Sequence, residues 1–539
     1  MRTILSIFCL ILTFNLGTAQ DKLPTDYLKK EFHKERREAF RKLMPKNSVA
    51  VVFANAVRNR SNDVDYVYHQ DPNFFYLTGY NEPHSVLLIF SEDQETENGT
   101  VNEMIFARER NAAREQWDGR RLGVDGVKNK LGFDNVASGS SFKNLPVDLT
   151  KFDKILMPTL QNDVRDARGS ADLFDLITQF KEQSGYSSAN QMSSMSKRIY
   201  STIDATPIEN SSNLVPRLKA AMEQMAELKD DQLLVDFTNA KDDAARKELQ
   251  QKMKLQLASD KFDTDTFNSI AGQLREVKTP EEMVLLKKAI EISAVGQIEI
   301  MKAMHPNMSE TEIQGVHEFI YKKYGAEYEG YPSIVGGGNN GCILHYIENN
   351  KTEVGQDLVL MDLGAEYHGY TADVTRTIPA NGKFTEEQKA IYDLVYDAQE
   401  AGIKVSVVGG SFSAPGKVAR DVINEGLAKL GIIASADAKH RYFPHGTSHY
   451  LGLDVHDPGT YGAFKANTVI TVEPGIYIPD GSPCDKKWWG IAVRIEDDIL
   501  ITDNGPVNLS AMAPRKSEEI EKLMKQKSVL SKLELPSLD

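Results

Sequence analysis

Charged residues stand inside apolar, strand-like runs in the second half of the chain. Residues 357–378 read DLVLMDLGAEYHGYTADVTRTI, and two such runs flank a predicted turn centred on Tyr367 and His368. With that turn, Asp362 and Asp373 face each other across a hairpin. Like charges directly opposite each other destabilise a sheet, and a buried carboxylate without a partner costs more still. Two interpretations stay open: a divalent cation between the aspartates, or a surface hairpin with two solvated carboxylates.

Two further carboxylates stand in similar runs nearer the C-terminus. Residues 469–478 read VITVEPGIYI, which predicts an apolar strand with Glu473 at its end. Residues 491–502 read IAVRIEDDILIT, and strand alternation puts Arg494 and Glu496 on the same face. An arginine two residues from a buried glutamate either forms an ion pair or orients another ligand.

Histidines cluster between these carboxylates. The segment PHGTSHYLGLDVHD contains His445, His449 and His456, and His345 lies earlier in NGCILHYIEN. A lone histidine is usually structural, but three within twelve residues, amid glycine and proline, indicate a site. Four carboxylates and one histidine suit two metal ions roughly 3.5–4 Å apart, which share a water or hydroxide and polarise a carbonyl. This is hydrolytic chemistry.

The rest of the chain divides by composition. Residues 20–160 alternate strands and helices, as in a small α/β domain. Residues 161–278 are rich in helix-forming residues and carry no catalytic signature, and their serine cluster at 184–201 predicts a loop. Residues 279–526 open with the capped helix start TPEE and hold nearly all the chemistry. Residues 527–539 form a tail.

The first nineteen residues are predicted to be a signal peptide. Arg2 precedes an apolar run from Ile4 to Leu16, and the small residues that follow suit cleavage before Gln20. The run is shorter than the ~20 apolar residues of a membrane-spanning helix, which disfavours an uncleaved anchor. We therefore expect an exported protein, periplasmic or secreted, with no membrane span after cleavage.

Charge and cysteine content exclude some classes of protein. The net charge of −14 argues against nucleic acid or an anionic membrane as the main partner, because both need a basic footprint. After cleavage Cys342 and Cys484 remain, which are too few for a disulfide framework and are either one bridge or two thiols.

The motifs resemble those of the methionine-aminopeptidase and creatinase superfamily, whose catalytic domain has the pita-bread fold. The ligand order Asp, Asp, His, Glu, Glu matches, and the stretches NGCILHYIENN, HGTSHYLGLDVHD, TVEPGIYI and VRIEDDI look like aminopeptidase P, the Xaa-Pro aminopeptidase. Residues 65–83 and 114–123 resemble the amino-terminal domain of bacterial members. The resemblance implies an α+β fold: a C-terminal pita-bread domain preceded by an α/β domain with a helical insertion. That insertion is longer than in compact bacterial members.

The resemblance also implies a dinuclear metal site that binds Mn²⁺, with Co²⁺ or Zn²⁺ as alternatives. Asp373 and Glu496 would bridge both ions, while Arg494 and Tyr477 would orient Asp362. The implied metal ligands are Asp362, Asp373, His449, Glu473 and Glu496.

Four residues take catalytic roles by the same resemblance. Glu473 would pass a proton from the bridging water to the leaving amine. His345 and His456 would hydrogen-bond the substrate and the tetrahedral intermediate, and His445 would line the proline side of the pocket. The implied reaction is hydrolysis of the N-terminal Xaa-Pro bond by a metal-bridging water or hydroxide. The partners are peptides with proline in second position, and a homo-oligomer, dimer or tetramer, is expected.

Three alternatives compete with this interpretation. A proline dipeptidase would use the same dinuclear site, and a non-catalytic pita-bread protein would bind peptides but usually lacks one or more ligands. Residues 336–341, GGGNNG, mimic a dinucleotide-binding fingerprint. That fingerprint must open a helix, whereas residues 342–346 are predicted to form a strand.

Overall fold

The computed structural model describes residues 26–97, 99–161, 169–186, 192 and 194–532. The predicted signal peptide and the last seven residues of the predicted tail lie outside the described residues. Among the helices in these ranges, none has both the length and the apolar character needed to cross a membrane.

A mixed sheet forms the centre of the N-terminal region. Its strands and the adjoining hairpin are β1 Ser48–Phe53, β2 Asn59–Ser61, β3 Val64–Asp65, β4 Val86–Thr96, β5 Gly99–Ala107, β6 Val136–Ser138, β7 Lys154–Leu156 and β8 Phe262–Asp263. The helices are α1 Lys30–Leu43, α2 Pro72–Thr78, α3 Ala112–Asp118 and α4 Gly123–Leu131. The strand order is β6-β5-β4-β1-β7-β8. Strand β1 is buried throughout, as its continuous apolar sequence SVAVVF predicts for an interior strand.

A buried ion pair holds α1 against this sheet. The Arg37 guanidinium donates to both carboxylate oxygens of Glu103 on β5, at 3.0 and 2.9 Å. It also donates to the carbonyl of Leu77, so all its contacts lie within the N-terminal region. This pair is far along the chain from every predicted site residue.

Helices dominate the region between the sheet and the predicted catalytic residues. They are α5 Leu173–Ser184, α6 Ser194–Ala205, α7 Val215–Gln224, α8 Ala226–Lys229, α9 Gln232–Asn239, α10 Asp243–Ser259 and α11 Thr264–Glu276. Because β8 pairs with β7, helices α5–α10 are inserted between two neighbouring strands of the N-terminal sheet. Helices α6–α10 also bury a small core of their own, which includes Ile199, Ile203, Leu218, Leu234, Phe237 and Met253.

The loop predicted for the serine cluster at 184–201 is partly wrong. Helix α6 begins at Ser194, so the C-terminal part of the cluster is helical, whereas residues 187–191 and 193 lie outside the described residues. Met195, Ile199 and Ile203 recur at helical spacing and pack into the small core, which outweighs the local preference of serine for loops.

The C-terminal region packs helices around short sheets. Its helices are α12 Pro280–Ala303, α13 Glu310–Lys323, α14 Glu386–Val405, α15 Ala414–Lys429 and α16 Ser517–Leu523. Its strands are β9 Tyr328–Glu329, β10 Ile334–Gly337, β11 Leu358–Leu363, β12 Ala365–Tyr367, β13 Tyr370–Thr371, β14 Val374–Pro379, β15 Val469–Val472, β16 Gly475–Ile478, β17 Ile491–Arg494, β18 Asp497–Thr502 and β19 Gly505–Asn508. The mixture of sheets and separate helices agrees with the predicted α+β class.

Helix α12 anchors the strands that carry the first two aspartates. The predicted start is confirmed: the Thr279 side chain accepts from the Glu282 N–H, and the Glu282 carboxylate accepts from the Thr279 N–H at 2.8 Å. Further along, the buried Gln297 amide donates to the carbonyls of Met361 and Val374, on β11 and β14. The helix and the hairpin are therefore joined by hydrogen bonds as well as by apolar packing.

The predicted register of this hairpin is wrong. Asp362 lies opposite Thr375, and not opposite Asp373. The turn is centred on His368 and Gly369, whose φ angles are 52° and 88°, one residue later than predicted. Positive φ at both central residues is the geometry of a type I′ turn, in which glycine is unstrained. Moving the turn by one residue shifts the pairing by two, so both aspartates stay on the same face.

The strand predicted for residues 342–346 is also wrong. Residues Gly338–Cys342 form a 3₁₀ turn, and irregular backbone follows. A Cβ on Gly336 would lie 2.7 Å from the Gly341 nitrogen, so the chain doubles back where only glycine fits. No α-helix begins at GGGNNG, and the dinucleotide interpretation is excluded by the structure there. Cys342 and Cys484 are both free thiols.

Candidate metal centre and active site

The predicted site residues meet at one cavity of about 300 Å³. Tyr477 is the one predicted site residue not on its wall, and it lies directly behind His445 and Arg494. The wall consists of Leu344, His345, Asp362, Asp373, His445, Gly446, Ser448, His449, His456, Glu473, Arg494 and Glu496.

Three side chains form the tightest group of donor atoms. Asp373, His449 and Glu496 each offer one ligand atom, and these atoms lie within 4.8 Å of one another. His449 Nε2 is 3.4 Å from Asp373 Oδ2, 3.6 Å from Glu473 Oε1 and 4.0 Å from Glu496 Oε1. The imidazole therefore faces three of the four carboxylates.

Tyr331 joins the two aspartates. Its hydroxyl lies 2.6 Å from Asp362 Oδ1 and 2.5 Å from Asp373 Oδ1. Because the hydroxyl has one proton to donate, it bonds either carboxylate and brings the two together. The sequence carried no signal for this residue, since it stands in a connection between β9 and β10, outside every motif.

Glu473 lies at the end of a strand, as predicted, whereas Glu496 lies at a break in a run that is predicted to be one strand. Glu473 follows the last residue of β15, and Pro474 then interrupts the pairing because it has no N–H to donate. Glu496 lies between β17 and β18. Its backbone N–H donates to the Thr375 carbonyl at 3.1 Å, and its carboxylate accepts from the Thr375 hydroxyl at 2.6 Å. Each break lets a carboxylate leave the sheet and enter the cavity.

Arg494 orients a carboxylate and does not pair with its near neighbour Glu496. One guanidinium nitrogen donates to Asp362 Oδ2, and the other donates to the Tyr477 hydroxyl at 2.9 Å. Its Nε donates to the Thr375 hydroxyl at 3.3 Å. Of the two carboxylates, Arg494 therefore forms its ion pair with Asp362, the residue that the resemblance implies it would orient.

The tautomer of His449 follows from its backbone contact. Nδ1 lies 3.0 Å from the Tyr450 carbonyl, which can only accept, so Nδ1 carries the proton when the ring is neutral. Nε2 then presents its lone pair to the carboxylates, as a metal-ligating imidazole requires. The residue's backbone is tied to β15, because the Thr471 N–H donates to the His449 carbonyl at 3.0 Å.

The other three histidines surround this centre. The rings of His456 and His449 are edge to face, with centroids 4.4 Å apart. His445 Nε2 lies 2.8 Å from the Tyr477 hydroxyl, and its Nδ1 is 3.7 Å from Glu473. His345 and His456 are exposed on the cavity wall, where they can reach a bound molecule.

The carboxylates resist ionisation because they are buried together. Burial and the neighbouring Asp373 and Glu473 raise the pKa of Glu496 well above its ordinary value. Burial and Asp362 raise the pKa of Asp373. Burial raises the pKa of Glu473 to about 7, although His449 opposes the shift.

The pKa values of two other groups shift in the direction that favours the charged form. Burial opposes ionisation of Asp362, but Arg494 and the Tyr331 hydroxyl outweigh it and hold the Asp362 pKa below its ordinary value. Burial likewise opposes a charged His449, but Asp373 and Glu473 raise its pKa to about 9. The raised pKa of His449 reflects the negative charge of the neighbouring carboxylates, whereas the lowered pKa of Asp362 reflects the positive charge of Arg494 and the hydrogen bonds it accepts.

The donor set fits divalent metal. Among the described residues that line the cavity, Arg494 is the one guanidinium facing four carboxylates. Three of those carboxylates have raised pKa values, so the protein alone does not stabilise their ionised forms. Divalent cations supply the missing positive charge, and carboxylate with imidazole suits Mn²⁺, Co²⁺ and Zn²⁺.

Comparison with known families agrees with this geometry. Residues 284–503 match the model of metallopeptidase family M24, and residues 33–155 match the N-terminal domain of aminopeptidase P. The first match contains every predicted site residue. The fold and the site thus define a metallopeptidase of family M24.

Comparison with individual proteins narrows the family further. The chain is 34% identical over 509 residues to the Xaa-Pro aminopeptidase of Escherichia coli K12, covering 92% of this chain and 98% of the relative. It superposes on E. coli aminopeptidase P with the inhibitor Pro-Leu at a TM-score of 0.70, with 31% identity over 92% and 98% of the two chains. The zinc-substituted E. coli enzyme in complex with product matches over the same shares at a TM-score of 0.69 and 31% identity. The chain belongs to the Xaa-Pro aminopeptidases, and the predicted pita-bread fold is confirmed.

Proposed function

We propose that the protein releases the first residue from peptides with proline in second position, using a pair of divalent metal ions. The observation that carries the proposal is the cluster of Asp373, His449 and Glu496, whose donor atoms lie within 4.8 Å of one another. Asp362 and Glu473 add two carboxylates on the same cavity wall. Mn²⁺ is the proposed metal, and Zn²⁺ is the first alternative to test because one solved structure is of the zinc-substituted E. coli enzyme.

The position of each residue on the cavity wall suggests its role in the reaction. When bound, divalent ions lower the pKa of water and polarise a carbonyl oxygen. Glu473 faces the cavity beside His449, where its carboxylate can take a proton and return it to the leaving nitrogen. His345 and His456, exposed on the wall, donate hydrogen bonds to the substrate as charge develops on its carbonyl oxygen.

Proline must be recognised by shape. Within a peptide its nitrogen carries no hydrogen, and its ring fixes φ near roughly −65°. His445 and Tyr477 contact each other through a 2.8 Å hydrogen bond and an edge-to-face ring contact, with centroids 5.4 Å apart. We assign the proline ring to the side of His445 that faces the cavity beside Glu473, with Tyr477 behind the imidazole and holding it in place.

Product analysis tests the reaction. Purified protein with Mn²⁺ is incubated with an Xaa-Pro-Yaa tripeptide, an Xaa-Pro dipeptide and, as control, an Xaa-Ala-Yaa tripeptide. The expected products are the free first residue and Pro-Yaa, with little cleavage of the alanine peptide. Cleavage of the dipeptide alone would identify a proline dipeptidase. Peptide binding without any cleavage would identify a non-catalytic protein.

Metal dependence is tested separately. Exhaustive chelation should abolish turnover, and titration of Mn²⁺ should restore it with a stoichiometry of two ions per chain. Parallel titrations with Co²⁺ and Zn²⁺ compare the metals. Full activity in metal-free protein, or saturation at one ion, would refute the dinuclear proposal.

Export and assembly complete the proposal. The basic, apolar and small residues of positions 1–19 support export to the periplasm or beyond, with the mature chain starting at Gln20. Mass spectrometry of protein from the native host should find that terminus, and an intact Met1 on cytoplasmic protein would contradict it. Light scattering should find a dimer or tetramer, as the family resemblance implies.

A further inference from the structure

A buried cluster of charged side chains lies behind the loop that carries His456. Arg275 Nη2 is 2.5 Å from Asp457 Oδ1, and Lys278 Nζ is 3.0 Å from Asp457 Oδ2. The three side chains are at most 2% exposed. Arg275 lies in the last turn of α11 and Lys278 between α11 and α12, whereas Asp457 directly follows the active-site histidine.

Asp457 fixes the backbone of that loop. Its N–H donates to the Tyr450 carbonyl at 3.0 Å, and its carboxylate accepts from the Asp454 N–H at 3.2 Å. Tyr450 follows His449, and Asp457 follows His456, so this bridge sets the two histidines side by side. The centroids of the two rings are 4.4 Å apart.

The carboxylate of Asp457 has no room to move. A Cβ on Gly452 would lie 2.4 Å from Asp457 Oδ2 and 3.0 Å from Lys278 Cε, so the loop packs directly onto the charged cluster. Gly452 also donates its N–H to the Asp454 carbonyl. Buried ion pairs are weak contributors to stability, and one of their uses is to specify a single geometry.

The other end of the cluster reaches the N-terminal region. Arg275 Nη1 donates to the Asn73 side chain at 2.8 Å, in the first turn of α2. The Tyr76 hydroxyl, on the same helix, donates to the Leu274 carbonyl at 3.0 Å. A continuous set of contacts therefore runs from α2 to the loop of His456.

We propose that Arg275 and Lys278 are positioning residues, which hold Asp457 and through it the ring of His456 in the active site. The N-terminal region thereby sets the orientation of a substrate-binding histidine. This inference rests on the proposed function for the role of His456. His449 shares the bridge to Tyr450, but two hydrogen bonds with Thr471 also hold its backbone, so disturbing the cluster should displace His456 and leave His449 in place.

A double-mutant cycle tests the proposal. Lys278→Met keeps the length of the side chain and removes its charge. In the wild-type background it should lower kcat on an Xaa-Pro-Yaa tripeptide by ~10–100-fold, the usual loss when a group that orients an active-site residue is removed. Metal content should stay near two ions per chain. In the His456→Ala background the same change should lower kcat by less than ~2-fold, because the group it positions is already absent.

A matched variant controls for lost stability. Glu103→Gln disrupts the buried ion pairs with Arg37 and Arg41 in the N-terminal sheet, and it leaves the hydrogen bond from Arg37 to the Leu77 carbonyl of α2 in place. It should lower Tm at least as much as Lys278→Met does, without changing kcat. Where Lys278→Met fails to fold, Asp457→Asn replaces it in the same cycle, because it retains the shape of the side chain.

A structural readout separates this inference from the proposed reaction. In crystals of metal-free Lys278→Met protein, the ring of His456 should move away from His449 while His449 stays in place. An unmoved His456 ring, or an equal loss of kcat in both backgrounds, would overturn the positioning role. Failure of the wild-type protein to cleave Xaa-Pro peptides would instead overturn the proposed function, and the crystal comparison would still report on the loop.

Discussion

The carboxylates and the histidines of the site are held by different parts of the fold. Asp362 lies within β11, and Glu473 and Glu496 directly follow or precede paired strands, so hydrogen-bonded sheets fix their backbones. His345 and His456 lie on irregular loops and are exposed. Groups that must hold a cation need a rigid frame, whereas groups that contact a substrate can sit on loops that adjust to it.

His449 marks the boundary between the two groups. It lies on a loop, but two hydrogen bonds with Thr471 tie its backbone to β15. It should therefore behave like the strand carboxylates when mutated. Changes at strand-anchored residues are expected to lose metal and turnover together, while changes at the free loop histidines are expected to lose turnover alone.

The largest effect is expected for Glu473→Gln. The change removes a proton carrier, worth ~10²–10⁴-fold in kcat, and weakens metal binding at the same time. Turnover of an Xaa-Pro-Yaa tripeptide and metal content by mass spectrometry should fall together. Glu103→Gln, at a buried glutamate outside the cavity, is the control and should leave both unchanged. Near-normal turnover in Glu473→Gln would refute the assignment of the proton to this residue.

His456→Ala tests the loop side of the comparison. Loss of one hydrogen-bond donor to the developing charge should lower kcat by roughly 10²–10³-fold. Metal content should stay close to that of the wild type, because the ring is 4.4 Å from His449 and outside the tight donor group. His449→Ala is the contrasting variant and should lose metal. If both variants lose metal equally, loop and strand residues are not functionally distinct.

Arg494→Lys is expected to act less strongly. Lysine keeps the charge but cannot contact Asp362, Tyr477 and Thr375 at once, because it lacks the planar fork. A loss of ~10–100-fold in metal affinity or kcat is typical for such orienting residues. Titration of apo protein with Mn²⁺ should show weaker binding with an unchanged Tm of the apo form. Wild-type turnover at saturating Mn²⁺ would show that Arg494 serves only as a buried charge.

The carboxylates on the strands could be predicted as site residues because burying an ionised carboxylate among apolar residues costs free energy. An ionised residue among apolar strand residues needs a partner, and this argument needs no knowledge of the fold. The register was missed by two residues because the turn was centred on Tyr367 and His368. Gly369 was the available signal, since a type I′ turn favours glycine at its second central position.

The loop residues were less predictable for a physical reason. His345 follows CIL, which favours a strand locally, but the close approach of Gly336 to Gly341 bends the chain into a 3₁₀ turn. Tyr331 contacts both aspartates from a separate connection 31 residues before Asp362. Such contacts depend on the tertiary fold, and local sequence does not encode them.

The smallest effect is expected for His317, a histidine that belongs neither to the strand-anchored residues nor to the loop histidines of the site. His317, on α13, is fully buried, and neither ring nitrogen has a hydrogen-bond partner among the described residues. Burial lowers its pKa to about 3, so the folded protein keeps the ring neutral where the unfolded chain protonates it. Below the ordinary value of 6.5 the unfolded state binds the extra proton, and stability is lost as pH falls from 6.5 towards 3. At pH 5 this amounts to ~2 kcal/mol.

The experiment compares His317→Leu with the wild type. Between pH 8 and pH 5 the free energy of unfolding of His317→Leu, measured with urea, should fall by less than that of the wild type, and kcat should be unchanged. His305→Leu, at an exposed histidine, should follow the wild type at both pH values. A drop in kcat for His317→Leu would mean that a helical histidine also serves the site, and the division between structural and catalytic histidines would fail.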